Sequence, residues 1–247
     1  MLTVIAAMEQ ELAHLRRALI SRRSEPVNMH VIGIGKERAQ SSISRILDSR
    51  RWHEGDALLM LGFAGGLDPV LKCGDLLLPT FYYAESGDLI AADGELWQQA
   101  RLAAVAVELP VVQGNSLTVN QVIATPDDKG ALYRQHQVGT VNMEDYWVAE
   151  VATDARVPFL SVRAVLDPAS LALPQYLLGL AGRPVETAFR VMARPWRAPA
   201  MLALAGMRSK AQSSLIRFGL AFINYGFNRE LSNRELSARE RPPGASQ

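Results

Sequence analysis

Two carboxylates stand at the ends of two apolar runs, and a stretch of helical length separates these runs. Glu144 follows the run that ends at Met143, and Asp167 closes the run that begins at Phe159. Since the carboxyl ends of neighbouring strands in an open parallel sheet face one crevice, we expect the two acids to meet there. One acid would suit a sugar hydroxyl and the other a leaving base, which is the chemistry of cleaving a nucleoside.

A third acid, Glu11, comes just after the first apolar run, at the start of a helix-like stretch. Each acid also has a structural interpretation when it is taken alone. Glu11 and Glu144 could be favourable charges at helix N-termini, and Asp167, which precedes a proline, could be a turn residue. The catalytic hypothesis depends on the three acids together, each at the carboxyl end of a predicted strand.

A glycine-rich segment, 62–66, follows the apolar run that begins at Ala57. Glycines there would let backbone N–H groups approach a ligand oxygen closely, and the alternative is a tight turn after the strand. The segment is not a P-loop, because no Gly-Lys-Ser/Thr follows it. Its spacing also differs from the dinucleotide-binding fingerprint.

Composition excludes several classes of protein. The 247 residues carry a net charge of +1, which gives no signal for binding a nucleic acid. One cysteine and four histidines without ligand spacing argue against a metal site. The apolar N-terminus is too short for a signal peptide, and no uncharged run approaches the ~20 residues of a membrane span. We expect a cytoplasmic protein.

Apolar runs alternate with amphipathic stretches through residue 167, and this alternation predicts an α/β fold with a mostly parallel sheet covered on both faces. Strand-like runs begin at Leu2, Met29, Ala57, Gly74, Val111, Val138 and Phe159. Residues 1–167 would form this core. Residues 168–228, with seven basic residues against one acid, would add two or three helices, and residues 229–247 a flexible tail. The basic helices could contact an anionic membrane, pack on the core or form a dimer interface.

Five ordered blocks of sequence resemble the methylthioadenosine/S-adenosylhomocysteine nucleosidases of the purine nucleoside phosphorylase superfamily. The blocks are residues 7–11, 33–36, 62–75, 141–144 and 157–167. The composition of the C-terminal part is similar to that of the hopanoid-associated phosphorylases, which are thought to remove adenine from adenosylhopane. The resemblance implies a three-layer fold with a central mixed, mostly parallel twisted sheet flanked by helices, plus a C-terminal helical extension. It also implies a homodimer without a cofactor.

The resemblance assigns roles to the acids and to the residues beside them. Asp167 would donate a proton, or a strong hydrogen bond, to the purine as it leaves. Glu144 would hold the ribose hydroxyls while Met143 packs on the sugar. Glu11 would orient or deprotonate the attacking water.

Other segments would complete the pocket. The Gly65-Gly66 loop would lie near the nucleophile, and the backbone at Ile123 would meet the adenine edge. Three residues depart from the family pattern: Phe63 replaces a serine, Val122 a purine-stacking phenylalanine, and Leu166 a serine. The resulting base pocket is more apolar than in a typical nucleosidase.

Three functions remain open at this point. The first is release of adenine from adenosylhopane, with peripheral contact at the inner face of the membrane. The second is a methylthioadenosine/S-adenosylhomocysteine nucleosidase, and the third is a non-catalytic nucleoside-binding protein. The nucleophile is either water or phosphate as a co-substrate. By position, Lys36, Arg38 and Arg45 are candidates to bind phosphate.

Overall fold

The computed structural model describes residues 1–21, 27–173 and 198–227. Its strands are β1 (Leu2–Ala6), β2 (Asn28–Val31), β3 (Ala57–Gly66), β4 (Leu76–Ala84), β5 (Leu89–Ala91), β6 (Val111–Thr118), β7 (Thr140–Asn142) and β8 (Phe159–Asp167). Its helices are α1 (Glu9–Ser21), α2 (Lys36–Asp48), α3 (Gly94–Ala106), α4 (Pro126–His136), α5 (Asp145–Asp154) and α6 (Ala198–Ala221), and a π-helical turn, Phe222–Phe227, follows α6.

The strands form one mixed sheet. β1 lies between β2 and β3 and is parallel to both, and β8 is parallel to β3. The strands β3, β7, β6, β4 and β8 pair in a closed ring, because β8 also pairs with β4. Among the described residues, five strand pairs are parallel and three are antiparallel. The predicted mixed, mostly parallel sheet is therefore confirmed.

Helices cover the sheet on both sides, which gives the three predicted layers. Leu12 and Leu15 of α1 pack with residues of α3 and α6 in one cluster, and Ile43 of α2 packs with Val148 of α5 in another. The inner strands are buried on both faces, and every residue of β1 is buried. Burial on both faces explains why the inner strands are apolar runs and do not alternate with polar residues.

Two features of the sheet differ from the sequence prediction. β3 does not end at Gly62 but continues to Gly66, so the expectation of a Gly65-Gly66 loop is wrong. Both glycines pair with β7, and Gly65 also pairs with the end of β8. The backbone groups of these glycines are engaged in the sheet. β5 was not expected, because three residues at the sheet edge are too short to give a pattern.

The C-terminal helix α6 is part of the core. Pro199 lies in its first turn, where proline is tolerated. Leu215 and Phe218 are buried in the same cluster as α1 and α3, while Lys210 and Arg217 are exposed. Residues 174–197, which hold the other predicted helices, and the predicted tail lie outside the described residues. In the part of the chain that the structure describes, every helix is too short or too polar to cross a membrane.

Candidate active site

The structure places the three predicted acids beside the C-terminal half of β3. Glu11 lies in the first turn of α1, directly after β1. Glu144 follows β7 and precedes α5, and Asp167 ends β8. All three side chains are buried, with exposed fractions of 3%, 4% and 5%. Carboxylates at this depth need hydrogen bonds or counter-charges, and each acid has its own set.

Two backbone N–H groups hold the Glu11 carboxyl group. Phe63 N donates to Oε1 at 2.9 Å, and Met8 N donates to Oε2 at 2.8 Å. Burial raises the pKa of Glu11 from 4.5 to about 7, against the opposing effect of the Arg163 guanidinium and of these two bonds. Glu11 therefore changes its charge near neutral pH, as a general base must.

An arginine that is not among the predicted site residues lies between Glu11 and Glu144. Arg163 lies within β8 and is 1% exposed. Its Nη2 lies 3.5 Å from Glu144 Oε2, and its Nη1 donates to Phe63 O at 3.2 Å. Although burial opposes the charge, the neighbouring carboxylates raise the pKa of Arg163, first Asp145 and then Glu144 and Glu11. The guanidinium is thus a fixed positive charge between Glu11 and Glu144.

Asp145 anchors this arginine. Its Oδ1 accepts from Arg163 Nε at 3.0 Å and from Nη2 at 2.6 Å. Its Oδ2 accepts from Ser116 Oγ at 2.8 Å and from Asn142 Nδ2 at 2.9 Å. Because both carboxylate oxygens are bound, Asp145 is itself held in place and fixes the direction of the guanidinium.

Gly62 makes room for the arginine. A Cβ atom at this position would lie 2.3 Å from Arg163 Nη1 and 3.0 Å from Glu11 Oε1. At Gly65, a Cβ atom would lie 3.3 Å from Asp167 Oδ2. The glycines of β3 therefore pass beneath the charged side chains. Gly62 and Gly65 are three residues apart along β3, so their Cα atoms are about 10 Å apart.

The second group is a buried pair of an aspartate and a lysine. Asp167 Oδ2 accepts from Lys129 Nζ at 2.6 Å, and the lysine side chain is 0% exposed. Lys129 belongs to α4, which begins after Thr125, whose side chain accepts from Asp128 N. Burial raises the pKa of Asp167, and Lys129 opposes that effect.

The other predicted site residues lie around these charges. Met143 and Ile123 are partly buried against the same small apolar cluster, and Val122 is 39% exposed. Phe63 turns its side chain to the core cluster that holds α1 and α6, while its backbone N–H and C=O contact Glu11 and Arg163. Phe63 thus reaches these two charged residues through its backbone.

The three basic residues proposed for phosphate all lie on α2. Lys36 Nζ lies 4.1 Å from the centre of the Trp147 ring. Arg45 donates to Ser41 O and to Ser42 Oγ on α2. The carbon stem of Arg38 packs over Gly33.

Six buried charged groups therefore define the site: Glu11, Glu144, Asp145 and Asp167 with Arg163 and Lys129. Carboxylates in a buried site stabilise positive charge that develops on a substrate, as in an oxocarbenium-like transition state. The arrangement suits the cleavage of a glycosidic bond by an activated water.

The sequence of this chain is similar to those of known proteins. The profile of the phosphorylase superfamily matches residues 2–178. The 5'-methylthioadenosine/S-adenosylhomocysteine nucleosidase of Bacillus subtilis is 26% identical over 230 residues, which cover 78% of this chain and 98% of that protein.

Solved structures share the fold at lower identity. The 5'-methylthioadenosine/S-adenosylhomocysteine nucleosidase of Neisseria meningitidis, in complex with methylthio-immucillin-A, superposes with a TM-score of 0.68 at 21% identity. The match covers 90% of this chain and 97% of that one. The futalosine hydrolase of Helicobacter pylori gives a TM-score of 0.66 at 18% identity, over 90% of this chain and 98% of that one.

Proposed function

Because the chain belongs to the phosphorylase superfamily, it is an enzyme that acts on nucleoside glycosidic bonds, and we propose that it hydrolyses an adenine nucleoside. The observation that carries this proposal is the set of buried charged groups beside β3. Glu11, Arg163 and Glu144 lie near Gly62 and Phe63, and Asp167 lies near Gly65. In the proposed binding mode the sugar lies beside the first group and the base beside Asp167.

Glu11 is the proposed general base. Its pKa of about 7 allows it to take a proton from water near neutral pH. Phe63 N and Met8 N hold both carboxyl oxygens, so the group keeps one orientation. A base that is fixed before the substrate arrives loses little entropy in the reaction.

Glu144 is the proposed ligand of the ribose hydroxyls, with Met143 packing on the sugar. Gly35 N donates to Glu144 Oε1 at 3.2 Å, and Arg163 lies beside Oε2. Burial raises the pKa of Glu144, and Arg163 opposes that effect. A carboxylate held beside the sugar can accept hydrogen bonds from hydroxyl groups and stabilise the positive charge that forms at the anomeric carbon.

Asp167 is the proposed acid for the leaving purine. Adenine leaves as an anion unless it receives a proton or a strong hydrogen bond on its imidazole ring. Asp167 would supply it, and its raised pKa favours a carboxyl group that still carries a proton. The backbone at Ile123, close to the apolar side chains of Val122 and Met143, would meet the base.

We favour water over phosphate as the nucleophile. A phosphate dianion needs cationic donors that are not already paired with acids. Arg163 is bound to Asp145 and Glu144, and Lys129 is bound to Asp167. Carboxylates near the anomeric carbon would repel a phosphate dianion, while they favour an oxocarbenium-like transition state.

For the substituent on the 5' carbon we propose a hopanoid chain, so that the substrate would be adenosylhopane. The sequence supports this proposal through residues 168–228, which are rich in leucine and alanine and carry seven basic residues against one acid. The apolar face of α6 packs against the core. Contact with the lipid would therefore depend on residues 174–197, and contact with an anionic membrane could also involve the exposed Lys210 and Arg217 of α6. Methylthioadenosine, the substrate named for the Bacillus subtilis relative, is the alternative.

The test is adenine release by the purified protein. Adenosylhopane, methylthioadenosine and adenosine are each offered with and without phosphate, and Glu144→Gln serves as the inactive control. Release from adenosylhopane alone supports the lipid substrate, and release from methylthioadenosine alone overturns it. If the wild-type protein releases adenine from none of the three, the hydrolase proposal is wrong and a nucleoside-binding function takes its place.

A further inference from the structure

Lys129 makes contacts that its sequence context does not predict. It is the fourth residue of α4 and is fully buried, whereas the residues before it in the helix are exposed. Its ammonium group donates to Asp167 Oδ2 at 2.6 Å and to three carbonyl oxygens: Asp167 O at 3.3 Å, Pro168 O at 3.0 Å and Leu171 O at 3.0 Å. A buried lysine costs free energy unless it is paired, so these contacts hold it in one place.

From these contacts we infer that Lys129 is a positioning residue for Asp167: its ammonium group binds Oδ2, leaves Oδ1 to the leaving purine, and promotes release of the carboxyl proton to that purine. The inference rests on the proposed function, because it gives Lys129 a part in the departure of the base.

The physical basis is the balance between two opposing effects on one carboxyl group. Burial alone makes Asp167 hold its proton too strongly, and an acid that holds its proton strongly transfers it poorly. A cation at hydrogen-bond distance stabilises the ionised form and so helps the proton to leave. Burial thus favours the protonated form of Asp167, and Lys129 helps that form to release its proton.

Among the described residues, two titratable groups face Asp167. Lys129 approaches from α4, and the thiol of Cys73 approaches from the loop before β4. Burial raises the pKa of Cys73, and the nearby Asp167 raises it further. Cys73 donates to Met207 O at 3.3 Å. Because the thiol is neutral near pH 7, Lys129 is the group whose charge acts on the acid.

The first experiment compares two leaving groups in Lys129→Met, which keeps the length of the side chain and removes its charge. The adenine nucleoside is adenosylhopane or methylthioadenosine, whichever the wild-type protein cleaves. Its base needs a proton to leave, whereas 4-nitrophenyl β-D-ribofuranoside releases a stable anion without one. A general acid contributes ~10²–10⁴-fold. We therefore expect a loss in kcat of about ten- to hundredfold for the adenine nucleoside and a change below about threefold for the nitrophenyl riboside. Arg134→Met, an exposed change of the same kind on α4, should alter neither.

Equal losses on both substrates would show that Lys129 only maintains the structure and would overturn the inference. The pH profile gives a second readout. Activity that needs a protonated Asp167 falls as the pH rises through the pKa of that group. Lys129 lowers this pKa, so its removal should move the descending limb to higher pH even as the maximal rate drops. An unchanged descending limb would contradict the inference.

A measurement without turnover separates this inference from the proposed function. The protein is labelled with ¹³C at the aspartate carboxyl carbons, and the Asp167 signal is assigned by its loss in Asp167→Asn. Its NMR titration midpoint should be higher in Lys129→Met than in the wild-type protein and unchanged in Arg134→Met. Equal midpoints in all three would refute the role of Lys129, whatever substrate the enzyme uses.

Discussion

Replacing Glu11 by glutamine should slow the enzyme and, at alkaline pH, stabilise the fold. The fold raises the pKa of Glu11 from 4.5 to about 7, which corresponds to about 3 kcal/mol. Since the fold favours the protonated form, this stabilisation is complete below pH 4.5 and is lost as the pH rises through about 7. The glutamine variant has no such loss. As the pH rises from 4.5 to 8, the free energy of unfolding of the variant should therefore increase by about 3 kcal/mol relative to that of the wild type.

The assay for stability is urea unfolding of both proteins at several pH values in that range. The difference between the two proteins is the quantity to compare, because other titrating groups contribute equally to each. Glutamine has one carbonyl oxygen for the two donors Phe63 N and Met8 N, so the variant should lose a constant amount at every pH, about 1 kcal/mol for one hydrogen bond. That loss lowers the stability difference between the two proteins by the same amount at every pH, so the change of this difference with pH is unaffected.

The assay for activity is adenine release between pH 5 and 9. If Glu11 must be ionised to accept a proton from water, kcat/KM of the wild type falls about tenfold for each pH unit below about 7. Glu11→Gln should be slower by roughly 10²–10⁴-fold at its optimum. A wild-type profile that is flat through pH 7, together with a stability difference that does not change with pH, would refute the assignment of Glu11 as the base.

Three further substitutions test the other parts of the site. Asp167→Asn should lower turnover by roughly 10²–10⁴-fold while nucleoside affinity, measured by calorimetry, stays within a few fold; unchanged turnover would remove Asp167 from the mechanism. Gly62→Ala places a Cβ atom 2.3 Å from Arg163 Nη1. It should therefore lower the free energy of unfolding in urea by about 1–3 kcal/mol and abolish most of the activity. Gly206 has open space around it, so Gly206→Ala should lower neither the stability nor the activity. Asp145→Asn leaves Arg163 with a weaker partner and should destabilise the fold by about 3–5 kcal/mol; a variant of wild-type stability would show that the pair is not needed.

The sequence predicts the acids because their positions follow from topology. Glu11 and Asp167 follow or end β1 and β8, which are both parallel to β3, so these strands point their carboxyl ends the same way. Glu144 also follows a strand, but β7 is antiparallel to β3, so the rule for parallel strands does not explain its position. The apolar runs that mark the strands are long and buried on both faces, so their order and type can be predicted. The extent of β3 could not be predicted, because the pairing that continues it to Gly66 comes from β7 and β8, which are distant in sequence.

The cations of the site are harder to predict. Arg163 gives a signal, since a charged residue inside an apolar strand needs buried partners, and the acids of the site could have been proposed as those partners. Lys129 gives none. The stretch Thr125-Pro126-Asp127-Asp128-Lys129 has the composition of an exposed helix start, and the lysine points inward only because α4 packs its first turn over the end of β8. A contact of this kind depends on the tertiary fold.

The C-terminal part illustrates a different limit. Its composition of basic and apolar residues is equally compatible with a membrane surface and with a core helix. The structure places α6 in the core, where Leu215 and Phe218 are buried. Composition alone could not distinguish these two, because both environments select an apolar face on a helix.

The most direct test of the central proposal is to identify the atom that attacks the sugar. The enzyme releases adenine from its nucleoside in H₂¹⁸O with millimolar phosphate present, and mass spectrometry analyses the sugar product. Attack by water activated at Glu11 predicts a free sugar with one ¹⁸O atom at the anomeric carbon and a rate independent of phosphate. A sugar 1-phosphate formed at a rate that follows phosphate concentration would contradict the hydrolytic mechanism.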